Sequence, residues 1–174
     1  MLTRFATDLR EGGGFAVLTL WLQHRRRRRI ADVTVQFWRF GLACLAAAAL
    51  LEAAATVYAP LGEEPRVALA VGMLALPGFA VAVISGMLYR IVPFLVWFHA
   101  QARAGIGGAV PRSAQVAITP AAARGHRLLY LAGCALLGGA LFLPATLALP
   151  AGVLLAGSGA WLARNLLGVL RRAR

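Results

Sequence analysis

Residues 67–88 read VALAVGMLALPGFAVAVISGML, 22 positions without one charged side chain. At a helical rise of about 1.5 Å per residue the run is about 33 Å long, enough to cross the roughly 30 Å hydrocarbon core of a bilayer. It predicts a transmembrane helix, and its apolar character continues past Tyr89 and Arg90 to Phe98. On its N-terminal side a short polar turn holds Glu63, Glu64 and Arg66, preceded by another apolar run over 33–59 that ends at Pro60. On its C-terminal side a Gly-, Pro- and Ala-rich loop, about 99–127, leads to further apolar runs over 128–147 and, after Pro150, 151–170. The pattern predicts an all-α polytopic membrane protein, a bundle of four transmembrane helices over 33–59, 67–98, 128–147 and 151–170.

Composition supports this fold class. The chain has 174 residues, of which 60% are hydrophobic and 14% charged, with mean hydropathy +0.74. A soluble domain is about half apolar and about a quarter charged, and disorder requires low hydrophobicity, so both are excluded. Lys plus Arg number 18 against 6 Asp plus Glu, a formal net charge of +12, and every basic residue is Arg. The arginines fall in the N-terminal segment, the middle loop and the C-terminal tail, whereas the two short connections hold only Arg66. By the positive-inside rule both termini and the middle loop are cytoplasmic, and the expected location is a bacterial-type inner membrane. Residues 1–30 are read as a cytoplasmic interfacial segment: Leu2, Phe5 and Leu9 recur at helical spacing, and Arg25 to Arg29 form a basic block. The remainder, 31–174, is the membrane domain. No aromatic interleaving surrounds the basic block, which argues against nucleic acid as a partner.

Within hydrocarbon, helices associate through close backbone approach at small residues. Gly78, Ala82 and Gly86 recur at intervals of four in the second run, and Gly41, Ala48, Ala55 and Ala59 form a comparable stripe in the first. Ala135 with Gly139, and Gly152 with Ala156 and Gly159, do the same in the third and fourth. These faces either close one bundle or meet another subunit. Pro77 and Pro93 each remove a backbone donor, so a bend is expected at one of them.

Charged residues inside a membrane are costly and call for a reason. Glu52 is the one acid deep in a span, with Arg66 as its expected partner; a carboxyl bonded within the bundle is the simpler reading, a proton relay or ligand site the sharper one. Arg39, Arg90 and Arg164 are expected at inner-leaflet depth, snorkelling to phosphates or holding an anionic phospholipid head group such as cardiolipin. Cys44 and Cys134 lie inside apolar runs and are read as small buried hydrophobes. His24, His99 and His126 fall near cytoplasmic span ends and are read as interface residues, so no metal site is expected. No catalytic constellation is legible.

Gly86-Met87-Leu88-Tyr89-Arg90-Ile91-Val92-Pro93-Phe94-Leu95 resembles the segment that ends a haem-bearing helix in haem-copper oxidase catalytic subunits and their oxidase-like relatives. In that family a Gly-x-x-Tyr-x-x-x-Pro pattern follows a Gly-Trp pair, which Gly78-Phe79 matches here. The resemblance implies the architecture of the C-terminal four helices of such proteins. Their His-x-His ligand pair falls on Val71 and Met73, neither of which is histidine, so the resemblance carries over the fold without the haem chemistry. No cofactor is predicted, with haem and quinone left open. The function expected is a non-catalytic accessory or scaffold subunit of a larger, bioenergetic membrane complex, with other membrane subunits and anionic phospholipid as partners. An oxidase-like redox protein or small transporter in its own right, and an anionic-lipid-binding assembly factor, are the alternatives.

Overall fold

The computed structural model describes residues 33–104 and 118–172. The interfacial segment and basic block expected over 1–30 lie outside the described residues, as does most of the middle loop. Among the described residues every regular element is helical: α1 (Val33–Val57), α2 (Ala59–Gly62), α3 (Pro65–Met73), a π-helical segment (Leu74–Ala80), α4 (Val81–Ala104), α5 (Pro120–Gly139) and α6 (Pro144–Arg172).

The charge-free run becomes α3, the π-helical segment and α4 without interruption. Pro65 stands in the first turn of α3, where its missing N–H has no intrahelical acceptor to lose. Pro77 falls mid-helix, where a proline ring clashes with the carbonyl four residues back. The backbone answers by widening, and the N–H of Val81 reaches back to the carbonyl of Leu76. Pro93 is carried inside α4 with no such change of helix type. At the other end of the run, a Cβ on Gly62 would stand 2.8 Å from the Ala55 carbonyl oxygen, so the α1–α2 turn closes only on glycine.

The expected boundaries of the last two runs are corrected. α5 starts at Pro120, capped by the Thr119 hydroxyl, which accepts from Ala122 N at 3.4 Å, and ends at Gly139 rather than 147. The turn occupies 140–143, closed by Phe142 N and Leu143 N bonding the Gly139 carbonyl at 3.0 and 3.1 Å. α6 then begins at Pro144 and runs on through Pro150. Pro144 and Pro150 carry the same cue, and hydropathy is high across both. Pro144 follows the Gly138-Gly139 pair, which favours ending a helix, and it fits the first turn of the next one.

Among the described residues three helical stretches are long and apolar enough to cross a membrane: Val33–Val57, Pro65–Ala102 and Pro144–Arg171. The apolar part of α5, residues 128–139, measures about 18 Å, and its first turns carry Arg124, His126 and Arg127.

α1 packs along the π-helical segment and α4, and α5 forms an antiparallel hairpin with α6. In the first pair Ala82 is fully buried, and fully buried Ala48 packs against Val71. In the hairpin, Cβ atoms added to Gly125, Gly133 and Gly139 would meet Trp161, Leu155 and Leu147 at 3.0, 2.9 and 2.8 Å. Phe37, Ala82 and Tyr130 form the buried cluster that joins the two halves.

Candidate functional site

Buried and half-buried side chains from four helices, Phe37, Tyr89, His126 and Asn165, converge at one level of the bundle. Residues Ala82, Gly86 and Tyr89 recur at four- and three-residue intervals, so α4 turns them all toward α1. On α5, His126 and Tyr130 are one turn apart and face the same core. On α6, Ala151, Ser158 and Asn165 recur every seven residues, and the first two are buried. Phe37 of α1 fills the centre, its ring 5.1 Å from His126, 5.5 Å from Tyr130 and 6.3 Å from Tyr89.

Hydrogen bonds tie this cluster across helices. Asn165 Nδ2 donates to Tyr89 Oη at 3.0 Å, and Tyr89 Oη lies 3.0 Å from His126 Nδ1. The Tyr89 hydroxyl, which accepts from Asn165, can still donate to His126 Nδ1 or accept from it, according to the imidazole tautomer. Asn165 Nδ2 also reaches the Ala122 carbonyl at 3.5 Å. One turn deeper, the Tyr130 hydroxyl donates to the Pro77 carbonyl. The Val81 N–H that an α-helix would give to Pro77 goes to Leu76 instead, so the π-helical widening and the tyrosine bond belong together.

This arrangement locks helices. His126 is only 1% exposed, and the cavity described below has none of His126, Tyr89 or Asn165 in its wall. His126 is therefore a core residue, not the interface residue expected. His99 is exposed and bonds the Leu95 carbonyl of its own helix at 2.8 Å, and His24 lies outside the described residues. Sequence reasoning missed the Tyr89–His126–Asn165 set. The one signal available was the seven-residue recurrence of Ala151, Ser158 and Asn165 on a single helix face.

The three arginines singled out lie at the same level. Arg39 follows Phe37 by two positions, Arg90 follows Tyr89, and Arg164 precedes Asn165; all three are exposed. The Arg164 guanidinium stands 4.9 Å from the centre of the Trp161 ring. Among the described residues none of the three makes an ion pair; the pair that does form joins Arg66 Nε to Glu64 Oε1 at 3.7 Å. Arg66 thus meets Glu64 and not Glu52, the partner expected from the sequence. Glu64 stands two residues away in the same turn, whereas Glu52 lies five residues, about 7.5 Å, before the end of α1. Glu52 itself is half-buried.

The small-residue stripes divide. A Cβ on Gly78 would meet Cys44 Cβ at 2.9 Å, one on Gly86 would meet Phe37 Cβ at 3.1 Å, and one on Gly41 would meet Ala82 Cβ at 3.3 Å. Gly41, Ala48, Gly78, Ala82 and Gly86 are thus spent on the contact between α1 and the long helix. On α6 the outcome differs: Gly152 and Gly159 have nothing within 4 Å of an added Cβ, and both they and Ala156 are exposed.

Small residues also leave a cavity of about 330 Å³ between α1, the α3–π segment and α5. Its wall includes Cys44, Met73, Gly78, Cys134, Ala135 and Gly138. Val71, which the resemblance sets on the haem-ligand register, is buried against Ala48. No group of three or more His, Cys, Asp or Glu residues among the described residues is placed to hold a metal ion. No family model matches the chain, and neither a curated protein nor a solved structure matches it.

Proposed function

We propose that this chain is a non-catalytic integral membrane subunit that packs against other membrane proteins through the open face of α6. The observation that carries the reading is the contrast among the glycines. Gly41, Gly78, Gly86, Gly133 and Gly139 each permit a close contact inside the bundle, whereas Gly152 and Gly159 line a face with nothing against it. Helices in hydrocarbon gain nothing from burying leucine against leucine, so an open small-residue face is where a partner helix approaches most closely. Of the most apolar stretch of α6, 11% is buried inside the bundle, against 33% for α1.

The fold supports four crossings with both ends on the cytoplasmic side. α6 crosses, and α5 lies against it from Gly125–Trp161 to Gly139–Leu147, so α5 carries the chain to the membrane face where α6 begins. Arg39, Arg90 and Arg164 then mark the inner-leaflet level, where anionic phospholipid head groups satisfy them. The resemblance of residues 86–95 to the oxidase segment makes a bioenergetic complex of a bacterial-type inner membrane the assembly to test first.

The test is the double substitution Gly152→Leu with Gly159→Leu, followed by size and composition of the extracted assembly. Loss of the assembly with an intact bundle supports the reading; an unchanged assembly overturns it.

A further inference from the structure

The cavity begins at Phe40, next to Arg39, and runs toward the end of the bundle away from the arginines, and its position matters more than its size. It extends from Phe40 to Leu141, in the α5–α6 turn, and α6 supplies none of its wall. At about 330 Å³ it falls at the lower end of the roughly 300–1,000 Å³ of small-molecule sites. The wall is hydrocarbon and sulfur, with nothing to hydrogen-bond a polar ligand well. On the α3 side, Ala70 and Met73 line it, and Arg66 stands four and seven residues before them on the same helix face. Arg66 is therefore one turn, about 6 Å, above the wall, in a turn that also holds Glu63 and Glu64.

We propose that this cavity and turn bind one zwitterionic aminophospholipid, of the phosphatidylethanolamine type. The acyl chain occupies the cavity, the phosphate meets the Arg66 guanidinium, and the ammonium meets Glu63 or Glu64. A chain leaving the bilayer for an apolar wall gains nothing from the hydrophobic effect, so the cavity fixes position while the head group decides which lipid is held. The Arg66–Glu64 contact runs through Nε at 3.7 Å, with both groups more than half exposed, and the terminal guanidinium nitrogens suit a phosphate. Two carboxylates and one guanidinium leave the turn at net −1. A lipid that brings only negative charge is repelled there, and one that also brings an ammonium is complemented. The proposal stands apart from any partner at the α6 face.

The full chain, reconstituted in nanodiscs of equimolar phosphatidylethanolamine and phosphatidylglycerol, is transferred to mild detergent and weighed by native mass spectrometry. One retained phosphatidylethanolamine per chain is expected, at least fivefold over phosphatidylglycerol. Arg66→Ala, at an exposed position, abolishes retention. Glu63→Gln with Glu64→Gln removes the preference or inverts it. Gly138→Leu also abolishes retention, since an added Cβ there meets nothing within 4 Å and the side chain fills the cavity. Equal retention of both lipids by the native chain overturns the proposal. So does undiminished retention in either Arg66→Ala or Gly138→Leu.

Discussion

The Tyr89 hydroxyl lies 3.0 Å from His126 Nδ1 across a sequence separation of 37 residues. With Asn165 donating to the same hydroxyl at 3.0 Å, this contact joins α4, α5 and α6 at one depth, and Phe37 of α1 packs against its rings. In a bundle held mainly by small-residue contacts it supplies direction, since a hydrogen bond fixes which side chains must face each other.

Tyr89→Phe removes the oxygen that serves both partners and keeps the ring. The expected loss is about 1–2 kcal/mol of bundle stability, the upper part of the range for interhelical hydrogen bonds in membranes. Reversible unfolding in mixed detergent micelles measures it. The Tyr89→Phe and His126→Phe pair should couple by more than about 0.5 kcal/mol in a double-mutant cycle; additive losses would show that the contact is not an energetic unit.

Gly78→Leu forces a side chain onto Cys44, whose Cβ is 2.9 Å from the first added atom. A cost of roughly 1–3 kcal/mol is expected from overpacking. Gly152→Leu, facing nothing within 4 Å, should stay within about 0.5 kcal/mol of the native chain. The same unfolding assay reads both, and equal losses would contradict the assignment of the two faces.

The packing face of the long helix was legible in the sequence because Gly78, Ala82 and Gly86 stand at helical spacing in a run with no charge to compete for the face, but nothing in that spacing says that α1 is what covers it. The α5–α6 boundary was not, since hydropathy is unbroken from Leu128 through Leu155 and two prolines offer the same punctuation. The Tyr89–His126–Asn165 set was hidden for another reason. Each member is a common residue near a span end, and its partners are 37 and 76 positions away, so only the packing of three helices brings them together. The use of Tyr130 depends on a backbone detail, the π-helical widening at Pro77, that no side-chain pattern announces.

Topology is tested by single cysteines in a Cys44→Ala, Cys134→Ala background. A membrane-impermeant maleimide added to intact cells should label Glu63→Cys and leave Gln101→Cys and Arg171→Cys unlabelled. Labelling of Arg171→Cys alongside Glu63→Cys would mean that α5 does not cross.

Glu52→Gln removes the ionisable group from a half-buried side chain that makes no ion pair among the described residues. Stability within about 0.5 kcal/mol of native and unchanged assembly are expected. A loss of cellular function with the bundle intact would return Glu52 to a proton-handling role.

The central claim is that the chain works as a subunit. It is tested most directly by native mass spectrometry of the untagged chain extracted from its own membranes in a mild detergent. A second, different polypeptide present at fixed stoichiometry is the result predicted, and it should be lost with Gly152→Leu plus Gly159→Leu. A chain that appears alone or as a homo-oligomer, with or without haem or quinone mass, would contradict the claim.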